Sequence, residues 1–358
     1  SQDNRLAVQW FRKAAEQENA KAQFNLGVMY QLGQGVGQDY VQAAEWYRKA
    51  AEQGDTGAQN NLGMLYQNGQ GVSQDYAQAA EWFYRAANQE NTDAQLNLGM
   101  LYANGQGVGK DYEKALKWFR RAAGHGDAIG QYNLGVAYAN GEGVHQDYIQ
   151  AIGWYRKAAE QGNVDAQYNL GDMYASGEGV RQDYVEAIKW YRKAAEQGDA
   201  QAQFNLGMMY LQGQGVRQDN AQAVQWFGRA AEQGHAKAQY NLGVMYANGQ
   251  GIRQDDVQAV RWYHKAAEQG VAQAQFNLGI MYDQGQGVRQ DDAQAVHWYR
   301  KAAEQGYAEA QYNFGVMYAN GEGVRQNYKI AKDWFGKACD NGLQRGCDAY
   351  RELNQKGY

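Results

Sequence analysis

Apolar residues along the chain fall at two alternating helical spacings. Between residues 20 and 32, Ala22, Leu26, Met29 and Tyr30 stand at i, i+4, i+7 and i+8, which is one face of a helix. Between residues 40 and 52, Ala43, Trp46, Tyr47 and Ala50 share a face, while Gln42, Glu45, Lys49 and Glu52 take the solvent side. The pattern predicts a helix A from about Ala20 to Leu32 and a helix B that begins at Asp39, a good N-cap residue. Gly33 and Gly35 close helix A, because glycine tolerates the left-handed backbone of a helix C-terminus.

Both helices recur without interruption. The phrase from Ala22 to Tyr30 returns until Ala310 to Tyr318, each copy 36 residues after the last, and a tryptophan keeps the same beat from Trp10 to Trp334. A fixed period of this size is the signature of a solenoid built from one supersecondary unit. The expected architecture is all-α over 1–358 as a single array: a leading helix B (1–18), nine A/B pairs (19–342) and a C-terminal capping helix (343–358), twenty helices in total. In the last helix Ala349 replaces the recurrent Asn and Arg351 the recurrent glycine, as suits a repeat with nothing stacked beyond it.

Gly27 recurs within helix A at 63, 99, 135, 171, 207, 243, 279 and 315. A mid-helix glycine costs about 1 kcal/mol relative to alanine, so its return predicts backbones packed too closely for a side chain, most simply against the indole of helix B. The cap position carries Asp3, Asp39, Asp75, Asp111, Asp147, Asp183, Asp219, Asp255, Asp291 and Asn327. Gln or Glu three residues later in seven copies, Gln42 and Glu186 among them, matches a capping box.

Composition adds exclusions. With 44% hydrophobic residues, 13% aromatic ones and no proline, the chain carries enough apolar surface to fold. A net charge of -5 gives no basic field, so nucleic acid is not an expected partner. No apolar run approaches the roughly 20 residues that span a bilayer. The sequence starts at Ser1 inside the second phrase of a repeat, so a processed or trimmed form is expected.

The elements A-x-Q-[YF]-N-L-G-x-M-Y, G-[QE]-G-V, Q-D-Y and A-x-x-W-[YF]-x-[RK]-A-A-E-Q-G resemble the Sel1-like repeat, a relative of the tetratricopeptide repeat. The resemblance covers the whole chain. It implies a right-handed α/α superhelical solenoid whose A helices line a concave groove holding a protein or extended peptide. It also implies a bacterial periplasmic, secreted or cell-surface protein engaged in host contact or envelope regulation. Cys339 and Cys347, eight residues apart, resemble the disulfide pair of the cysteine-rich Helicobacter branch of the family; two buried free thiols are the alternative. A disulfide would imply an oxidising compartment.

Candidate chemistry lies on the face of helix A opposite the Leu26 and Tyr30 core. Asn occupies one position in all nine copies: Asn25, Asn61, Asn97, Asn133, Asn169, Asn205, Asn241, Asn277 and Asn313. An amide both donates and accepts, so a row of them can grip an extended backbone; alternatively each bonds only to its neighbouring repeat. Aromatic residues precede it at Phe24, Tyr132, Tyr168, Phe204, Tyr240, Phe276 and Tyr312, and apolar residues follow three positions on, except at Asp172. That acid either selects a basic or amide group of a ligand or is merely solvated. Because Gly57 and Asn60 leave the second repeat least aromatic, binding is expected from the third repeat onward. A second stripe, Arg181, Arg217, Arg253, Arg289 and Arg325, recurs in the loops, where it receives an acidic partner or an anionic glycan or is only solvated.

The five histidines occupy unrelated repeat positions, and no nucleophile with a base, paired acids or dinucleotide loop can be assembled. Neither a cofactor, a metal nor enzymatic activity is expected. Penicillin binding with weak β-lactam hydrolysis, implied by resemblance to the cysteine-rich branch alone, and a purely structural spacer are the competing readings. Oligomeric state is left open.

Overall fold

The computed structural model of the chain describes residues 2–358. Among the described residues there are twenty α-helices and no strand, an α-solenoid of helix pairs in two compact units that divide after Gln182. The first unit contains α1 (Gln2–Ala15), α2 (Ala20–Leu32), α3 (Tyr40–Glu52), α4 (Thr56–Asn68), α5 (Tyr76–Asn88), α6 (Thr92–Asn104), α7 (Tyr112–Gly124), α8 (Ala128–Asn140), α9 (Tyr148–Glu160) and α10 (Val164–Ser176). The second contains α11 (Tyr184–Glu196), α12 (Ala200–Gln212), α13 (Asn220–Glu232), α14 (Ala236–Asn248), α15 (Asp256–Glu268), α16 (Ala272–Gln284), α17 (Asp292–Glu304), α18 (Ala308–Asn320), α19 (Tyr328–Asp340) and α20 (Gln344–Gln355). Within each unit, helices pack chiefly on their sequence neighbours.

Helix ends follow the side chains that satisfy them. Asp39 Oδ1 accepts from Val41 N and Gln42 N at 2.9 and 3.0 Å, and Asn19 Oδ1 accepts from Ala22 N at 2.9 Å. The reciprocal half of the expected capping box is absent at Gln42, because Asp39 N donates to Tyr30 O across the loop and the Gln42 amide turns to Glu45. At the chain start α1 already includes Gln2, so Asp3 lies in a first turn rather than at a cap. The two glutamates that replace the glycine after helix B, Glu18 and Glu90, adopt the left-handed φ of 61° and 64° that glycine holds elsewhere.

The two glycines of each loop have separate tasks. Gly69, with φ 67°, is the left-handed C-cap of α4, its N–H donating to Leu65 O. Gly71 instead lies on the start of α3, where an added Cβ would sit 2.2 Å from Tyr40 backbone atoms. One glycine ends the helix; the other seats the loop on the preceding helix.

The mid-helix glycines meet a ring, but not the indole. A Cβ on Gly63 would lie 2.7 Å from Phe83, on Gly207 2.6 Å from Phe227 and on Gly279 2.6 Å from Tyr299. These rings follow the tryptophan by one residue and are wholly buried. The tryptophan is turned about 100° away by helix geometry and joins the preceding hairpin: Trp82 of α5 packs with Tyr47, Ala58 and Leu62 of α3 and α4. A cation three residues on covers the indole, as Lys49 does Trp46 at 4.3 Å and Lys337 does Trp334 at 3.8 Å. At the other end Arg351, at the glycine position, faces solvent in an ion pair with Asp348 at 2.7 Å, while Leu353 packs with Phe335.

Candidate functional site

Successive A helices of the first unit bring the expected positions onto one surface. Asn60, Asn61 and Met64 of α4, Asp93, Leu96, Asn97 and Met100 of α6, Ile129, Tyr132 and Asn133 of α8, and Asn163 with Asp165 at the start of α10 line a depression of about 690 Å³. Met64, Met100 and Ile129 are 40%, 43% and 52% exposed, so this surface displays apolar side chains the core does not use. The depression takes in the second repeat as well as those that follow. The short side chain of Asn60 stands there where other copies carry a ring, which leaves room.

The amide row has partners inside the fold. Asn97 Nδ2 donates to Asn60 Oδ1 at 3.1 Å, the Asn61 amide lies against the Tyr47 hydroxyl, which itself donates to Gln31 Oε1, and Asn169 lies against the hydroxyls of Tyr132 and Tyr155. In the second unit Asn205 accepts from Gln201 Nε2 at 3.1 Å, Asn241 Nδ2 lies 3.5 Å from Met208 Sδ, Asn277 lies against the hydroxyls of Tyr240 and Tyr263, and Asn313 lies against that of Tyr299, which donates to Asp283 Oδ2 at 3.2 Å. All nine amides are half-buried. Burial of the hydroxyls pushes Tyr47 and Tyr263 up to about 12 and Tyr155 and Tyr299 higher still, against the smaller opposing effect of the neighbouring Asn amide.

The aromatic flank is also shared with the core. Tyr132 lies 5.9 Å from Tyr155, Phe204 5.8 Å from Phe227, Tyr240 6.1 Å from Tyr263 and Phe276 5.9 Å from Tyr299, centroid to centroid. Tyr132, Tyr168, Phe204, Tyr240 and Phe276 are half-buried, with one side on the core and the other on the surface of the A helices. Asp172 is half-buried on α10, seven residues beyond Asp165 and so on the same helix face. Arg181, Arg217, Arg253, Arg289 and Arg325 are exposed loop residues.

Sequence reading passed over a buried polar lattice. In α4, Gln59 Nε2 donates to Ala51 O at 3.0 Å, and its Oε1 accepts from Gln89 Nε2 at 3.0 Å, tying the end of α3 to the end of α5. Gln23, Gln203, Gln239 and Gln275 repeat this pair of bonds. Their signal was the invariant Gln beside the core Ala at the start of helix A. The lattice breaks at Gln95, whose Oε1 is buried without a partner. His125 stands where its donor should be and turns to Glu90 Oε2 at 3.0 Å, while Arg121 pairs with Glu90 Oε1. The bonds from His125 and then Arg121 hold the Glu90 carboxyl down at about 2.

Cys339 of α19 and Cys347 of α20 form a disulfide with Cα atoms 4.5 Å apart, so the pair is bonded rather than free. Such a bond suggests an oxidising compartment. No helix among the described residues is long and apolar enough to cross a membrane. No group of three or more His, Cys, Asp or Glu among them could hold a metal ion.

Tandem helix pairs stacked through glycine–ring contacts, with a half-apolar, amide-lined surface on the A helices, define a helical-repeat solenoid. The Sel1 repeat model matches ten consecutive segments, 1–19, 20–55 and so on by 36 residues to 308–343, and the chain belongs to this family. Proteins of this repeat class are in general non-catalytic protein–protein interaction scaffolds. A protective antigen present in uropathogenic Escherichia coli strains, displaying an SLR fold, is 37% identical over 98% of this chain and 90% of its own, with a TM-score of 0.61. A Sel1 repeat protein from Oxalobacter formigenes is 37% identical over 86% of this chain and 90% of its own, with a TM-score of 0.66. Curated proteins offer no match.

Proposed function

We propose that this chain is a non-catalytic scaffold that holds an extended peptide or a protruding segment of a protein on the exposed surface of its A helices. The observation that carries the reading is the depression on α4, α6, α8 and α10, where Met64, Met100 and Ile129 stand exposed beside the side-chain amides of Asn61, Asn97 and Asn133. Apolar contact supplies affinity there, and amides serve backbone groups whatever the peptide's sequence. In the second unit Asn205, Asn241, Asn277 and Asn313, flanked by Phe204, Tyr240 and Phe276, extend the same register. Because Asn97 and Asn205 already bond Asn60 and Gln201, a ligand either shares their remaining capacity or displaces those bonds.

The scaffold works in a bacterial periplasm or outside the cell, in host contact or envelope regulation. The disulfide and the relative described as a protective antigen support this placement.

Selection of a displayed random dodecapeptide library on the intact chain tests the binding reading. Enriched peptides are expected to bind wild type and to lose roughly tenfold or more in affinity to Met64→Ser/Met100→Ser, since truncating central apolar anchors commonly costs above 1 kcal/mol each. Enrichment of nothing, or enriched peptides indifferent to the double substitution, overturns it.

A further inference from the structure

The depression on the first unit is charged in one sense only. Among its lining residues are Asp93 and Asp165, both exposed, and neither lysine nor arginine. Asp93 lies in the first turn of α6 and Asp165 in the first turn of α10. The same depression is lined by the exposed Met100 and Ile129 and the buried Leu96. Asp172 adds a third acid on the same face of α10. The register of Asp93 and Asp165 reads Gln201, Lys237, Gln273 and Glu309 in the second unit, one acid set against one cation, so the pair of acids belongs to the first unit.

Helix-terminal acids also gain from the positive end of the helix, and that explains a carboxylate at either position taken singly. It does not explain why two of them border exposed methionine and isoleucine. Apolar surface bordered by Asp93 and Asp165, with no cation in the same lining, complements a segment in which large apolar side chains alternate with cations. It repels one whose flanks are acidic.

We infer that the first unit recognises a basic-apolar segment of a partner protein: one or two large aliphatic side chains seated on Met64, Met100 and Ile129, with a Lys or Arg beside each of Asp93 and Asp165. This rests on the peptide-holding role of the same surface and specifies its partner. Recognition through exposed carboxylates is screened by salt, whereas the apolar seat is not.

The same random dodecapeptide selection reads the inference through the charge of what is enriched. Peptides depending on Met64 and Met100 are expected to carry excess Lys and Arg flanking Leu, Met, Ile or Phe. In anisotropy titrations of the best of them, made again with Gln for each Lys or Arg, affinity is expected to fall about tenfold at low salt, from two exposed charge pairs. Asp93→Asn/Asp165→Asn should remove that difference, and so should molar salt, while circular dichroism confirms an unchanged helix content. Met64- and Met100-dependent peptides with neutral or acidic flanks, or a Lys-to-Gln effect that survives Asp93→Asn/Asp165→Asn, overturn the charge inference and leave the peptide-holding role standing. Failure to enrich any peptide overturns both.

Discussion

At the scale of single residues, the informative comparison is between copies of one position. Gln59, Gln203, Gln239 and Gln275 each donate to one helix end and accept from the next, and all are buried. Gln95 donates to Ala87 O at 3.3 Å and to Glu90 Oε2 but accepts nothing at Oε1, because His125 occupies the donor's place. A buried acceptor left unmade costs roughly 1–3 kcal/mol, whereas the exposed His125–Glu90 contact contributes little. His125→Gln, which restores the lattice residue, should therefore raise the stability of the first unit by about 1 kcal/mol. Thermal and urea melts of wild type and variant decide it; equal or lower stability would mean that the orphaned acceptor carries no cost. Sequence alone marks His125 as an odd residue in its column, but the acceptor it fails to serve lies 30 positions earlier and is visible only in three dimensions.

At the scale of the helix pair, approach distance is set by a glycine in helix A and a ring in helix B. Phe227 is fully buried and a Cβ on Gly207 would stand 2.6 Å from it, so the ring has nowhere to move. Overpacking of this kind costs about 1–3 kcal/mol, partly offset by the better helix propensity of alanine, about 1 kcal/mol. Gly207→Ala should lower the melting temperature, and adding Phe227→Leu should recover part of the loss because the smaller side chain yields the space. Additive losses in the double variant, read by differential scanning calorimetry, would show that the contact is not the constraint. The recurrence of Gly27 predicted a close approach and misassigned its partner to the neighbouring tryptophan. One residue along a helix is a rotation of about 100°, which the apolar pattern of helix B, rich in alanine on both sides of the ring, did not resolve.

For the molecule as a whole, the same device repeated through each unit makes its stability depend on tyrosines kept neutral. Tyr47 and Tyr263 are raised from 10.0 to about 12 and Tyr155 and Tyr299 further, all chiefly by burial. A raised pKa in the folded state means that these groups favour folding fully below pH 10 and lose that contribution as pH climbs through 12. Alkaline titration should show one class of tyrosines ionising near the ordinary value and a second class ionising only together with loss of helical circular dichroism. Complete ionisation of all tyrosines with the helices intact would contradict the buried-hydroxyl picture. The acid pair on the first unit is likewise a property of the assembled surface, since Asp93 and Asp165 are 72 residues apart in the chain.

Helices, their caps, the 36-residue period and the family were legible in the sequence because each rests on local chemistry: apolar spacing within a few turns, Asp and Asn at N-caps, glycine at left-handed C-caps. The positions of the A-helix surface were legible for the same reason. Tertiary structure alone decided which ring fills each glycine notch, that the core glutamines form a lattice that leaves Gln95 Oε1 without a donor, and that the asparagines lie against tyrosine hydroxyls of neighbouring helices. Those partners stand 20, 30 and 14 residues away, as in Gly207 with Phe227, Gln59 with Gln89, and Tyr47 with Asn61. Hydrogen-bond reach across such separations follows from helix packing, which no local pattern of polar and apolar residues encodes.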